Sequence, residues 1–419
     1  MCGWCDQKRH FSLVLVVVAT GEMHLGADGL QRMVCSGSTL LSVLKGLKQL
    51  ELVVTPPPDA RPEVERLKAY SAPLEGRRNL LRLDFNENTL GPSPRVVEAI
   101  RAFPADQIAI YPEYDGLREA LLANLESLPA GLASALTPAH VGIFNGVDAA
   151  IHAVIHAYGA AGDTLLTTSP TFGYYAPCAG MQGMAVEVVP HELPGFVFPM
   201  EAIRAALLRT PRILMVCNPN NPTGTRLPAD QVLDLATAAP ETLVVVDELY
   251  EAFTGDSVLP SIDFRAVPNL LVLRSLAKTA GLAGLRIGFA LGHPDVVDRV
   301  GRVTGPYDVN SLAVAAAMAA LNDQPYTDAY AEEVLRARSW IVSQLTRKRA
   351  AYHVAGGNYL LLWPNRSSEI VEAELRAAGI LVRSMAGKPQ IDRSLRISIG
   401  TTKQMQRFWQ TYQAIDSEL

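Results

Sequence analysis

The chain has 419 residues, of which 49% are hydrophobic and 19% charged, enough to bury one large α/β domain and a smaller companion. Its 42 acidic and 37 basic residues leave a formal charge of −5, and no run of five or more basic residues occurs, which argues against a nucleic-acid partner and for a small molecule. The five cysteines (Cys2, Cys5, Cys35, Cys178, Cys217) form no metal-ligand pairing beyond Cys2-Gly3-Trp4-Cys5, so a reducing, cytoplasmic setting without disulfides or a metal is expected.

The first 55 residues differ from the rest. Phe11 to Ala19 is an apolar run behind Lys8-Arg9-His10, far short of the ~20 residues that span a bilayer. It has the outline of a signal-peptide core, but no small-x-small cleavage site follows, and export is not expected. Leu40, Leu44, Leu47 and Leu50 recur at helical spacing. Residues 1–55 form an extension on which no function is placed. The proline-rich stretch Thr55 to Pro62 reads as a linker, opening a segment 56–95 of linker and N-terminal arm.

From Ala139 onward, short β-branched runs alternate with helical stretches, the pattern of crossover units that build a parallel sheet. The clearest strands are Thr164–Thr168, Ala185–Val189, Ile213–Cys217, Leu243–Val246 and Leu270–Leu273. Each is almost continuously apolar, as a strand is when helices cover both faces of its sheet. The fold expected is therefore α/β: a three-layer α/β/α large domain over 96–310 with a mostly parallel central sheet. Beyond Asn310, helices over Ser311–Leu321 and Asp328 to about Arg349 lead into a βαβ-like tail with strands Tyr359–Trp363, Leu381–Arg383 and Leu395–Ile399. This is read as a smaller α/β C-terminal domain over 311–419.

Ligands on such sheets sit beyond the carboxyl ends of the strands. The residues there are polar: Asn218 to Gly224 after one strand, Asp247-Glu248-Leu249-Tyr250 after another, and Arg274 to Lys278 after a third. Lys278 lies among Ala277, Ala280, Gly281 and Gly284, which leave room for a flat aromatic cofactor over an amine able to form an imine with an aldehyde. Asp247 could hold a pyridine nitrogen protonated, and Asn221 and Tyr250 could both reach a ring hydroxyl oxygen. Phe144-Asn145-Gly146-Val147-Asp148 runs from a strand into a helix, so Gly146 would let backbone amides approach a phosphate. Ser275 would add a hydroxyl, Arg286 a guanidinium fork, and Phe172 a ring to stack on the cofactor. Together these positions meet the requirements of a pyridoxal 5'-phosphate site. Each also has a plain structural reading: a turn cap for Asp247, turn chemistry for Asn221, a loop glycine for Gly146, core for Phe172.

From about Tyr70 to the C-terminus the chain resembles the fold-type-I pyridoxal-phosphate aminotransferases of class I/II, and is closest in pattern to the histidinol-phosphate aminotransferase branch. The resemblance is carried by Leu83 to Pro94, Tyr111-Pro112-Glu113-Tyr114, Asn218 to Gly224, Arg274 to Arg286, Pro306 to Leu312, and Leu395 to Thr401. It implies that Lys278 is the lysine bonded to the cofactor, Asp247 the pyridine-nitrogen partner, Asn221 and Tyr250 the ring-hydroxyl ligands, and Phe172 the stacking aromatic. Gly146, Val147, Asp148, Ser275 and Arg286 match phosphate-binding positions. Tyr111 matches a tyrosine reaching the phosphate of the neighbouring subunit, which implies a homodimer, and Arg396 matches an arginine that grips an α-carboxylate. The chain departs from the branch at Ala277, where serine is frequent, and at Val147-Asp148-Ala149, which leaves the substrate open.

The activity implied is transamination between an amino donor and a keto acceptor. The substrate favoured is histidinol phosphate with 2-oxoglutarate, giving imidazole acetol phosphate and glutamate in histidine biosynthesis. Arg396, Arg407, Tyr70 and Tyr307 are expected to form the cationic end of the substrate pocket. An aromatic or other neutral amino-acid aminotransferase is the alternative within the class. A decarboxylase of a phosphorylated amino acid, on the same fold and cofactor, is the alternative of another class.

Overall fold

The computed structural model describes residues 57–67, 75–126 and 136–416. The apolar run Phe11–Ala19, the leucine repeat at 40–50 and Tyr70 lie outside the described residues. All the secondary structure of the described residues belongs to one unit, Asp59–Leu419.

In chain order, α1 (Pro62–Glu65) and β1 (Leu81–Arg82) precede α2 (Pro94–Arg101) and α3 (Leu117–Glu126). Then come β2 (Val141–Phe144), α4 (Val147–Tyr158), β3 (Thr164–Ser169), α5 (Tyr175–Met181), β4 (Ala185–Pro190), α6 (Met200–Leu207), β5 (Ile213–Cys217), α7 (Ala229–Ala238), β6 (Leu243–Asp247), β7 (Leu270–Ser275) and β8 (Gly288–Gly292). These seven strands form one sheet in the order β2-β8-β7-β6-β5-β3-β4, parallel throughout except for β8, which runs antiparallel to both neighbours.

The central strands bury both faces by strict alternation. Leu214 and Val216 of β5, Val244 and Val246 of β6, and Leu270 and Val272 of β7 enter one core. Met215 and Cys217, Leu243 and Val245, and Leu271 and Leu273 enter the core on the other face. Period-2 geometry sends successive side chains to opposite sides, so a run with no polar residue needs helices on both. The three-layer α/β reading of this region stands.

After α8 (Pro294–Gly301), α9 (Ser311–Leu321) and α10 (Gln324–Arg347) come β9 (Ala351–His353), β10 (Tyr359–Trp363), α11 (Ser368–Ala377), β11 (Ile380–Leu381), β12 (Arg383–Ser384), β13 (Leu395–Ser398) and α12 (Thr402–Ile415). The tail is not βαβ-like as expected. Its four-stranded sheet, β12-β13-β10-β9, is antiparallel at every pairing. The run read as one strand over Leu381–Arg383 is two: β11 pairs in parallel with β1, then the chain crosses at Val382 to pair β12 with β13. Buried Tyr330, Ile341, Tyr359, Leu362, Phe408 and Tyr412 form the core of this region. Among the described residues no helix is long and apolar enough to cross a membrane.

Candidate active site

The carboxyl ends of β2, β3, β5, β6 and β7 meet along one edge of the large sheet. Because β8 runs the other way, its amino end lies at that edge too: Gly288 is the register partner of both Phe144 and Ser275. The turn before β8 therefore delivers Arg286 beside the start of α4. Gly288 is required there, since a Cβ on it would lie 2.8 Å from the Val147 backbone nitrogen.

Asp247, the last residue of β6, is buried. Its Oδ2 accepts a hydrogen bond from the Tyr175 hydroxyl at 2.7 Å and its Oδ1 accepts from the Leu249 backbone N–H at 3.2 Å. Burial pushes its carboxyl up to about 6, although both donors favour the anion. Lys278 follows β7 and is half-buried. Its Nζ donates to the Phe85 carbonyl oxygen at 2.8 Å and lies 5.8 Å from the centroid of the Tyr250 ring. Burial first, then the positive charges of Arg396 and Arg286, lower the amine to about 8, against the opposing pull of Glu87 and Asp148.

Tyr250 is buried, and its hydroxyl oxygen accepts from Asn221 Nδ2 at 3.2 Å and from Asn86 Nδ2 at 3.1 Å. Two amide donors on one phenol oxygen leave its own proton free to be directed elsewhere. Asn221 is held in turn by Arg396, whose Nη1 donates to Asn221 Oδ1 at 2.9 Å. The second terminal nitrogen of Arg396 donates to the Asp84 carbonyl oxygen. Lys278, Asp247, Asn221, Tyr250 and Arg396 thus form one cluster.

The anion end of the site is built on α4. Gly146, its N-cap, has φ +80, and a Cβ there would lie 2.6 Å from Arg286 Nη2. The amides of Val147 and Asp148 lead the first turn of a twelve-residue helix, whose unpaired N–H groups and dipole attract an anion. Arg286, itself left-handed at φ +55, makes a 2.8 Å ion pair with Asp148 Oδ2. Ser275 Oγ donates to the Ile287 carbonyl at 3.3 Å and accepts from the Ala277 N–H at 3.0 Å. Phe172 is partly buried, its ring set edge-on to that of Tyr175 with centroids 5.4 Å apart. A lysine amine, a buried carboxylate, a phenol with an amide beside it and a glycine-opened helix start are the groups that a phosphorylated pyridine aldehyde needs. The residues present fit it.

The structure gives other predicted residues different places. Arg407 is exposed on α12, its guanidinium 3.4 Å from the carbonyls of Ala378 and Gly379, where it caps the C-terminal end of α11 rather than joining Arg396. Tyr307 is exposed and stacks on Tyr111, ring centroids 4.1 Å apart, so within one chain it belongs with Tyr111 and not with Arg396.

Several residues went unrecognised in the sequence. Tyr175 is the partner of Asp247. Asn86, at φ +56, exchanges hydrogen bonds with Ser398 and joins Asn221 on Tyr250. Phe85 supplies the carbonyl for Lys278. Arg383 is the register partner of Arg396 across the antiparallel pair β12–β13 and lies 5.7 Å over the Phe85 ring. Arg77, 4.2 Å over the same ring, is held by Asp84 and Glu87. Burial would raise the Glu87 carboxyl, but Arg77, Arg82 and Lys278 together hold it below its ordinary value.

The family model described as aminotransferase class I and II matches residues 78–411. Histidinol-phosphate aminotransferase of Symbiobacterium thermophilum is 34% identical over 84% of this chain and 98% of its own length. That of Moorella thermoacetica is 32% identical over 84% of this chain and 91% of its own length. Among solved structures, histidinol-phosphate aminotransferase of Sinorhizobium meliloti, in complex with pyridoxal-5'-phosphate, superposes with a TM-score of 0.75 at 25% identity, covering 85% of this chain and 97% of that one.

Proposed function

This chain belongs to the class I and II aminotransferases, and from that premise we propose that it transfers the amino group of histidinol phosphate to 2-oxoglutarate, using pyridoxal 5'-phosphate, in histidine biosynthesis. The single observation that carries the substrate choice is the pairing of Arg383 with Arg396 on one face of the small sheet. Histidinol phosphate has no α-carboxylate. Its phosphate needs a site where the acceptor's carboxylate also fits: Arg396 would serve both anions, and Arg383 would add the second guanidinium that the more highly charged phosphate calls for.

When bound, the cofactor supplies an electron sink for the pair left when the substrate loses its α proton. Lys278 Nζ, lowered to about 8, holds a usable unprotonated fraction near neutral pH and moves that proton as base and then as acid. Asp247 would face the pyridine nitrogen and keep it protonated. Asn221 and Tyr250 would bind the ring hydroxyl oxygen, Phe172 would cover a ring face, and the amides after Gly146, with Ser275 and Arg286, would hold the phosphate. Arg396 grips the substrate's anionic group and, through Asn221, ties that grip to the cofactor ring.

The catalytic unit proposed is a homodimer. Ile108, Ile110, Tyr111 and Tyr307 expose 66%, 58%, 70% and 53% of their surfaces, and apolar groups clustered so openly favour a covering partner. Tyr111, stacked on Tyr307, would then reach the neighbouring subunit's phosphate site. A large domain over 96–310 holds the cofactor residues and a smaller one over 311–419 supplies Arg383 and Arg396. Buried free thiols at Cys178 and Cys217 support a reducing, cytoplasmic location.

Coupled assays on the purified chain test the reading. Turnover of histidinol phosphate that depends on 2-oxoglutarate is expected; turnover of phenylalanine alone would replace the substrate, and turnover without a keto acid would move the chain to the decarboxylases.

A further inference from the structure

The Asp247 carboxylate faces two demands that oppose each other. It must stay ionised to keep a pyridine nitrogen protonated, yet it sits at the end of β6 with 2% of its surface exposed, where burial favours the neutral acid. The charged and titratable groups around it come from several elements: Tyr175 on α5, Cys217 on β5, Asp148 on α4, Lys278 after β7, Tyr359 on β10, and Tyr250 after β6 itself. Asp148 repels the anion and Lys278 attracts it. Cys217 is the register partner of Asp247, and burial pushes its thiol up, so it stays neutral.

Only the Tyr175 hydroxyl, among these side chains, donates a hydrogen bond to Asp247, at 2.7 Å on Oδ2. Tyr175 is fully buried and its phenol is pushed well above its ordinary value, first by burial and then by Asp247, so it remains a donor at every working pH. The same ring meets Phe172 edge-on at 5.4 Å and 78°, a favoured aromatic geometry. One side chain therefore touches both the residue that would face the pyridine nitrogen and the residue that would cover the ring.

We propose that Tyr175 is a positioning residue for the cofactor: its hydroxyl holds Asp247 ionised and aimed, and its ring braces Phe172. The inference rests on the pyridoxal-phosphate reading above. A hydrogen bond to the anion lowers a carboxyl's proton affinity, while removal of the donor raises it and lets Asp247 take up a proton, loosening its hold on the pyridinium.

The test uses the full chain loaded with pyridoxal 5'-phosphate. If the wild-type protein does not take up the cofactor, the cofactor reading falls and this inference falls with it. Given uptake, Tyr175→Phe is expected to release the cofactor ~10–100 times faster and to raise the pH below which release begins by about one unit. Its kcat should fall at least about tenfold with KM within about threefold. A fluorinated, more acidic tyrosine at position 175 should move the release pH downward, a sign that a merely structural role does not give. In an Asp247→Asn background, Tyr175→Phe should change release by less than about twofold. Unchanged release in Tyr175→Phe, or the same acceleration with and without Asp247, overturns the proposal. Should Tyr175→Phe fail to fold, the fluorinated variant decides alone, and an unmoved release pH overturns it.

Discussion

Arg383 and Arg396 stand directly opposite each other across the antiparallel strands β12 and β13. Directly opposed residues of such a pair point to the same face, so two positive side chains sit together; Glu372 lies within electrostatic reach of Arg383, and a further anion is drawn to the pair. Arg396 already spends one nitrogen on Asn221 and another on the Asp84 carbonyl. Arg383 holds its guanidinium carbon 5.7 Å from the Phe85 ring centroid, and its N–H groups can take a ligand.

The two arginines are therefore expected to differ on substitution. Arg383→Gln should raise KM for the phosphate-bearing substrate by ~10–100-fold, the loss of one charge-assisted contact, while KM for glutamate changes by less than about threefold. Arg396→Gln should weaken both substrates and lower kcat as well, because Asn221 loses its anchor. Steady-state kinetics with each substrate varied separately measure this, and equal effects of the two substitutions on glutamate would remove Arg383 from the phosphate site.

At Gly146 the prediction is steric. The residue has φ +80, and its missing Cβ is the space that Arg286 occupies 2.6 Å away. Gly146→Ala should destabilise the cofactor-free protein by about 1–3 kcal/mol through backbone strain and displacement of the guanidinium. It should also weaken cofactor binding by at least about tenfold, since the amides of Val147 and Asp148 shift with it. Denaturant midpoints without cofactor, and cofactor titration, read the two effects separately. Wild-type values in both would mean that Arg286 gives way freely.

Lys278 carries a pH signature. Its amine is lowered from 10.5 to about 8 in the folded protein, so between those values the unfolded chain binds more protons than the folded one. Stability then rises with pH across about 8 to 10.5 and is least favoured by this group below about 8. Lys278→Met keeps the volume and removes the charge. The cofactor-free variant should be more stable than wild type at pH 7 by up to about 3 kcal/mol, the gap closing above about pH 10. Urea unfolding at pH 7 and pH 10 measures it, and a variant less stable at pH 7 contradicts the assigned shift.

What was legible in the sequence divides along local and distant contacts. The central strands announce themselves because both faces of β5, β6 and β7 are buried, and the polar turn after each marks the site edge. Strand β8 escapes notice since Gly288 and Gly292 bracket it, and glycine disfavours strands on propensity alone. Gly288 is nonetheless forced by the approach of the Val147 backbone, a contact made across the fold. The same applies to Lys278 and Phe85, which are 193 residues apart, and to Asn86 and Ser398, 312 apart. Arg383 hides in a two-residue strand whose partner is set by the crossing at Val382. Arg407 shows the converse: a basic residue close behind a recognised arginine in sequence faces a helix end in space.

The last prediction concerns assembly. Tyr111 and Tyr307 stack face to face in the open, beside Ile108 and Ile110, with no cover of their own from the described chain. If this patch is the subunit interface, Ile108→Glu with Ile110→Glu should give monomers by sedimentation and lose most activity without loss of secondary structure. A sharper test mixes two inactive proteins, Lys278→Ala and Tyr111→Ala. In a mixed dimer one site combines both defects and the other has neither, because the intact lysine of one subunit meets the intact tyrosine of its neighbour. Random mixing makes half of the dimers mixed, so about one quarter of wild-type activity should return. No recovery, with exchange of subunits verified by differently sized tags, would place Tyr111 in service of its own chain's site and remove the partner from the reaction.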